Sequence, residues 1–333
     1  MRWLKLLLAA LAVLGLVAYG AFQYWQSRLA QPLAIEQPLL YEVPQGAGFD
    51  RVVDDLVSRG VLAEAWPFKL AKRLRPAAWP ALRAGEFRLA PGMSGRAALE
   101  HLGSDQVVTY TVTFPEGWTF RQVRQSLDDA VKLKHTLEGL DGEEVMARLG
   151  HPDQHPEGRF FPDTYRYHKG VSDTAILARA YARMQASLDE VWDERDKDLP
   201  LESPYQALIL ASLIERETGV AGERPRIAGV FVRRLEKGMR LQTDPSVIYG
   251  LGDDYDGNIT RADLQRKTPY NTYVIDGLPP TPIAMPGMAA LRAAVHPADG
   301  DALYFVATGD GSHHFSATLR EHNAAVRRYI LNR

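Results

Sequence analysis

With no cysteine in the chain, any acid, base or nucleophile must come from carboxylates, hydroxyls, imidazoles or amines. Glu215 and Glu217 close the segment Ser203-Pro-Tyr-Gln-Ala-Leu-Ile-Leu-Ala-Ser-Leu-Ile-Glu-Arg-Glu-Thr218, whose apolar spacing is helical. Ser203 suits an N-cap and Pro204 a first helical position. On a wheel of about 100° per residue with Leu208 at zero, Ile209, Leu210, Leu213 and Ile214 form a stripe centred near 170°. Glu217 falls inside that stripe at about 180°, and Glu215 opposite it at about 340°. The pattern predicts a solvated or ion-paired surface carboxylate at Glu215 and a desolvated one at Glu217. Desolvation disfavours the ionised form, so Glu217 would hold a proton near neutrality, as the general acid of glycoside cleavage must. The blander alternative has Glu217 emerging from the core in the last turn, or pairing with Arg224 or Arg240.

Other polar groups cluster in Pro/Gly-rich segments. Leu241-Gln-Thr-Asp-Pro245 offers amide, hydroxyl and carboxylate in a row, and Pro269-Tyr-Asn-Thr-Tyr273 adds two rings and an amide. Glu157-Gly-Arg-Phe-Phe-Pro-Asp-Thr-Tyr165 supplies more of the same, and Gly277-Leu-Pro-Pro280 stiffens a loop. Each alone reads as turn chemistry; together they tilt toward a carbohydrate cleft, hydroxyls met by polar groups and sugar faces by rings. Several signatures are missing: no phosphate-binding loop, GxSxG elbow or HExxH pair occurs. His313, His314 and His322 lack metal-ligand spacing and read as surface or hydrogen-bonding residues. Asp253-Asp-Tyr-Asp-Gly-Asn258 reads as a turn, since it lacks the alternation of a calcium loop. No metal and no cofactor is expected.

The elements that must position these groups follow an apolar N-terminus. Leu6 to Ser27 carries no charge, with Arg2 and Lys5 before it. That is about the length of a membrane span, and the cations favour an N-in orientation. A cleaved signal peptide ending near Ala18-Tyr19-Gly20 is the weaker alternative. Residues 28–38 read as a linker. Three copies of a strand, Pro/Gly turn and helix then follow, at Val43–Val52, Leu89–Ala98 and Phe114–Val123. The preceding strands are predicted at Leu39–Val43, Glu86–Leu89 and Val107–Phe114. Residues 39–103 thus form a small α+β module, either a glycan binder or a spacer. Helices are predicted at Thr174–Asp193, Pro204–Thr218 and Glu223–Lys237, with long loops from Leu241 to about Pro297. A strand at Leu303–Ala307 and a helix at Thr318–Leu331, capped by Thr318 and Glu321, close the chain. The fold class is α+β: a transmembrane helix (1–27), the module, then a mainly helical domain (104–333) with long loops and a few strands. The 39 Lys+Arg against 41 Asp+Glu leave no basic footprint for nucleic acid.

Ala211–Thr218, Gly238–Gly250, Tyr270–Tyr273, Gly277–Pro280, Pro286-Gly287, Ala294–Pro297, Tyr304–Val306 and Glu321–Asn323 closely resemble the endolytic murein transglycosylase (MltG, YceG-like) family. The resemblance spans essentially the whole chain. It implies one inner-membrane anchor with the catalytic domain in the periplasm, a LysM-like region at 39–103, and endolytic cleavage of nascent peptidoglycan between MurNAc and GlcNAc. It further implies 1,6-anhydroMurNAc ends, control of strand length, and the company of peptidoglycan synthases (penicillin-binding proteins). By this resemblance Glu217 is the catalytic acid, which then, as carboxylate, takes the proton of the attacking C6 hydroxyl. Glu157, Gln242, Thr243, Asp244, Tyr270, Asn271 and Tyr273 are carried over as cleft residues. Met285 departs from the pattern, standing where a small or polar residue, often Asn, is expected. A wall-binding anchor without activity and a lysozyme-type hydrolase are the rival readings.

Overall fold

Residues 2–331 are described by the structure, a computed structural model. Helix α1 (Arg2–Leu29) is solvent-facing along its apolar length and is long and apolar enough to cross a membrane. Only its last turns touch protein: Trp25 donates from its indole to the Pro67 carbonyl, and Arg28 pairs with Glu64. Beyond it, strand β1 (Leu39–Val43), helices α2 (Phe49–Ser58) and α3 (Trp66–Leu74), strand β2 (Gly85–Leu89) and helix α4 (Gly95–His101) follow in order. β1 and β2 pair antiparallel, Leu39 opposite Leu89. Tyr41, Val53, Leu56, Phe87 and Leu99 bury between this sheet and its helices.

The chain divides into two compact units at Tyr110/Thr111. The division falls inside strand β3 (Tyr110–Thr113), which leads to α5 (Phe120–Asp128). The threefold strand–turn–helix pattern is therefore real: β1–α2, β2–α4 and β3–α5 each pass through a Pro/Gly turn. Gly46, Gly92 and Gly117 hold φ of 73°, 82° and 76° at these turns, a conformation that favours glycine.

The second unit continues through α6 (Gly142–Arg148), β4 (Thr164–Tyr167), α7 (Asp173–Asp193), α8 (Pro204–Glu217) and α9 (Arg224–Glu236). Next come α10 (Asp244–Leu251), α11 (Arg261–Gln265) and α12 (Met288–Val295), then the hairpin β5 (Tyr304–Ala307) and β6 (His313–Ser316), and α13 (Leu319–Val326). The fold is thus a mixed one, helices with three two-stranded sheets among the described residues. α10, α11 and α12 lie where long loops were expected. Their Pro and Gly mark starts and ends: Pro245 sits in the first turn of α10, Gly252 caps it, and Gly287 precedes α12. α6, β4 and β6 were also unanticipated, and β3 is shorter than Val107–Phe114.

α8 is the centre of this unit, with α7, α9, α10 and α12 packed around it. Every residue from Ala207 to Ile214 is buried. A helix surrounded by others needs no polar face, so the single stripe read on the wheel understates its burial. Each large aliphatic side chain removed from water there contributes about 2 kcal/mol.

Candidate active site

Ser203 caps α8 by accepting from the Gln206 N–H, and Thr218 ends it by turning extended at φ −142°. The Thr218 hydroxyl accepts from the Val220 N–H at 3.0 Å, which holds the break. Glu217 is thereby the last helical residue, where a core helix runs out into a cleft of about 450 Å³. The cleft is lined by Glu217, Arg234, Gln242, Asp244 and Tyr273, together with Tyr304, His313, Leu319, His322 and Ile330 of β5, β6 and the closing helical segment.

The two polar segments of the sequence meet here. Gln242 donates its N–H to the Thr272 carbonyl at 3.1 Å, and Thr243 donates its N–H to the Thr272 hydroxyl at 2.9 Å. Tyr273 donates its hydroxyl to Asp244 Oδ1 at 2.6 Å. The Thr243 hydroxyl donates to Glu217 Oε1. Gln242 is the one non-glycine among the described residues with a left-handed φ, 52°, a strained conformation of the kind that clusters at functional sites.

Burial pushes the Glu217 carboxyl up to about 7, against the Thr243 hydrogen bond, which favours the anion. The negative Asp244 adds to the rise, while His313 and Arg234 oppose it. Neither Arg224 nor Arg240 pairs with it: Arg224 binds Glu215 at 2.9 Å and Arg240 binds Asp276 at 3.0 Å. At neutral pH this carboxyl holds a proton for part of the time, so it can give one up and take one back.

Three of the expected cleft residues sit elsewhere. Glu157 is buried, accepting from the Phe120 N–H at 2.9 Å and the Tyr249 hydroxyl at 3.0 Å. Tyr270 packs edge-on to Tyr249 and shares a hydrogen bond with Thr281 at 2.9 Å. Asn271 has no exposed surface: its amide donates to the Asp263 and Arg266 carbonyls and its oxygen accepts from the Tyr273 N–H. All three side chains are engaged by the protein's own groups, and turn-shaping uses the same residue types as sugar binding. Glu215 is ion-paired, one of the two outcomes expected of it, but it does not lie at the surface. Its side chain is only 5% exposed, paired to Arg224 and accepting from the Gly287 N–H at 2.9 Å. Met285 is fully buried, its backbone bonded to Gly117 and Trp118, so a methionine fits that loop.

Arg234 was not anticipated, and His313 was expected only as a surface or hydrogen-bonding residue. Arg234 is buried, donating to the Leu303 carbonyl at 2.7 Å and the Leu241 carbonyl at 2.8 Å while lying over the Tyr304 ring. Its spacing from Ile227, Val230 and Phe231 puts a cation on the buried stripe of α9, the same signal that picks out Glu217. His313 contacts Glu223 through Nδ1 at 2.8 Å and its N–H at 2.9 Å. Burial would raise the Glu223 carboxyl, but the His313 bonds hold it below its usual value. No spacing in the sequence signals this pair, which bridges 90 residues.

Comparison with known proteins fits this arrangement. The sequence profile of the YceG-like family matches residues 41–328, and the chain belongs to that family. It is 32% identical to an endolytic murein transglycosylase of Bacillus subtilis, over 95% of this chain and 91% of that protein. It is 25% identical to an endolytic murein transglycosylase of Streptococcus pneumoniae, over 97% of this chain but 64% of that protein. A solved structure of a yceG-like protein from Listeria monocytogenes is 29% identical with a TM-score of 0.54, covering 87% of this chain and 99% of that one.

Proposed function

We propose that the chain is a membrane-anchored endolytic lytic transglycosylase that cleaves MurNAc–GlcNAc bonds in peptidoglycan, with Glu217 as its acid. The observation that carries the reading is a desolvated carboxyl near neutrality at the end of a core helix, opening into a cleft. Glu217 protonates the glycosidic oxygen as its bond to C1 breaks. The C6 hydroxyl of the same MurNAc attacks C1 and closes the anhydro ring, and its proton passes to the Glu217 carboxylate. Tethering gives this nucleophile a high effective concentration. Gln242 and Tyr273 orient the sugar, and Asp244 faces the developing positive charge. α1 is read as a single span with its N-terminus inside the cell, and the β1–α2–α3–β2 order supports a LysM-like module. The endolytic murein transglycosylases similar to it support the substrate class.

Asp244 favours a second reading, a lysozyme-type hydrolase, because an exposed second carboxylate lines the same cleft. Glycan whose MurNAc C6 hydroxyls are acetylated separates the two. The transglycosylase leaves it intact; release of reducing MurNAc ends at the rate of unmodified glycan would make water the nucleophile.

A further inference from the structure

We propose that Thr243 is the positioning residue that decides which oxygen of Glu217 carries the proton, keeping Oε1 as an acceptor and making Oε2 the delivering atom. The inference rests on reading the Glu217 cleft as the glycan-cleaving site. Thr243 occupies the N-cap of α10, where a threonine hydroxyl ordinarily accepts an N–H of the first turn. Here it makes no capping bond and gives its hydrogen to Glu217 Oε1. Pro245 has no N–H to cap. Ser246 spends its hydroxyl donating back to the Thr243 carbonyl at 2.8 Å. The Thr243 N–H is held by Thr272 at 2.9 Å, and the Thr272 and Ser246 hydroxyls lie 2.9 Å apart. All three residues are buried, and the left-handed Gln242 sets the chain direction entering them.

A hydroxyl held in this way has one hydrogen and one acceptor for it. Oε1, engaged as that acceptor, does not carry the acid proton. In the reaction the Oε2–H bond breaks, the proton passes to the glycosidic oxygen, and the C1–O bond breaks. The charge left on the carboxylate strengthens the hydrogen bond from Thr243, so the interaction is worth more in the transition state than before it. The other groups facing Glu217 are Asp244, Tyr273, His313 and Arg234. They act through charge on the carboxylate as a whole, whereas the hydroxyl distinguishes its two oxygens.

The test uses the full chain in detergent, with pH–rate profiles on purified peptidoglycan for Thr243→Val and Thr243→Ser. In Thr243→Val the carboxylate has lost a donor, so the basic limb moves to higher pH and the low-pH plateau falls about tenfold or more. Thr243→Ser restores both. A ¹³C titration of side-chain carboxyls, with Glu217 assigned by its absence in Glu217→Gln, reads the same upward shift without turnover. Thr243→Ala serves both measurements if the valine fails to fold. A Glu217 titration that stays put or moves down overturns the proposal; downward movement would mean that protonated Glu217 gives its hydrogen to Thr243. Wild-type protein that cleaves nothing, with the upward shift present, would sink the glycan reading and leave the hydrogen-bond assignment standing.

Discussion

Glu217 and Glu157 are both pushed up to about 7 by burial, yet only Glu217 lines the cleft. The two differ in what surrounds the carboxyl. Both Glu157 oxygens are committed inside the protein, to the Phe120 N–H and the Tyr249 hydroxyl. The raised value therefore lies within a ligand's reach at Glu217, whereas at Glu157 it is a cost of burial. That cost has a sign. A carboxyl raised on folding adds stability that is fully present below its unfolded value near 4.5 and is lost as pH rises through about 7. The loss is on the order of 3 kcal/mol for such a group. Thermal unfolding of wild type should become easier from pH 4.5 to 7.5, and Glu157→Gln should flatten that slope. An unchanged slope would show that Glu157 is ionised without penalty.

Among the elements, α8 works because three helices are tied at its end by one carboxylate. Glu215 on α8 holds Arg224, the first residue of α9, and the N–H of Gly287, the N-cap of α12. Arg224 is buried, and Glu116 at 3.9 Å is its one other acidic neighbour among the described residues. Removing one partner of a buried pair leaves a charge uncompensated, at about 3–5 kcal/mol. Glu215→Ala should lower the melting temperature sharply, while Glu217→Gln should melt near wild type. Equal melting of both variants would contradict the clamp. The helical wheel singled out Glu217 from local spacing alone, and helix boundaries, caps and the repeated turns were legible for the same reason: their physics is local. Glu215 is ion-paired as its position on the wheel allows, but enclosed, because its partner Arg224 and α12 come from other parts of the chain. Nothing in a sequence separates an amide that braces a turn, as Asn271 does, from one that faces a ligand, and the same holds for Tyr270 and Glu157. His313 reads from the sequence as a surface or hydrogen-bonding residue, and only the fold brings it to Glu223.

The molecule divides into two compact units, the first beginning with the apolar helix and the second holding the cleft. The uncharged run from Leu6 to Ser27, with Arg2 and Lys5 before it, should keep the protein in the cytoplasmic-membrane fraction with its N-terminus intact. N-terminal sequencing that begins near Ala21 would show a cleaved leader instead. If Glu217 cuts glycan strands by ring closure, mass spectrometry of strand ends reads the outcome. Purified peptidoglycan incubated with the full chain should acquire new 1,6-anhydroMurNAc ends within its strands, and none with Glu217→Gln. Reducing MurNAc ends from the wild type, or anhydro ends from both proteins alike, would contradict it.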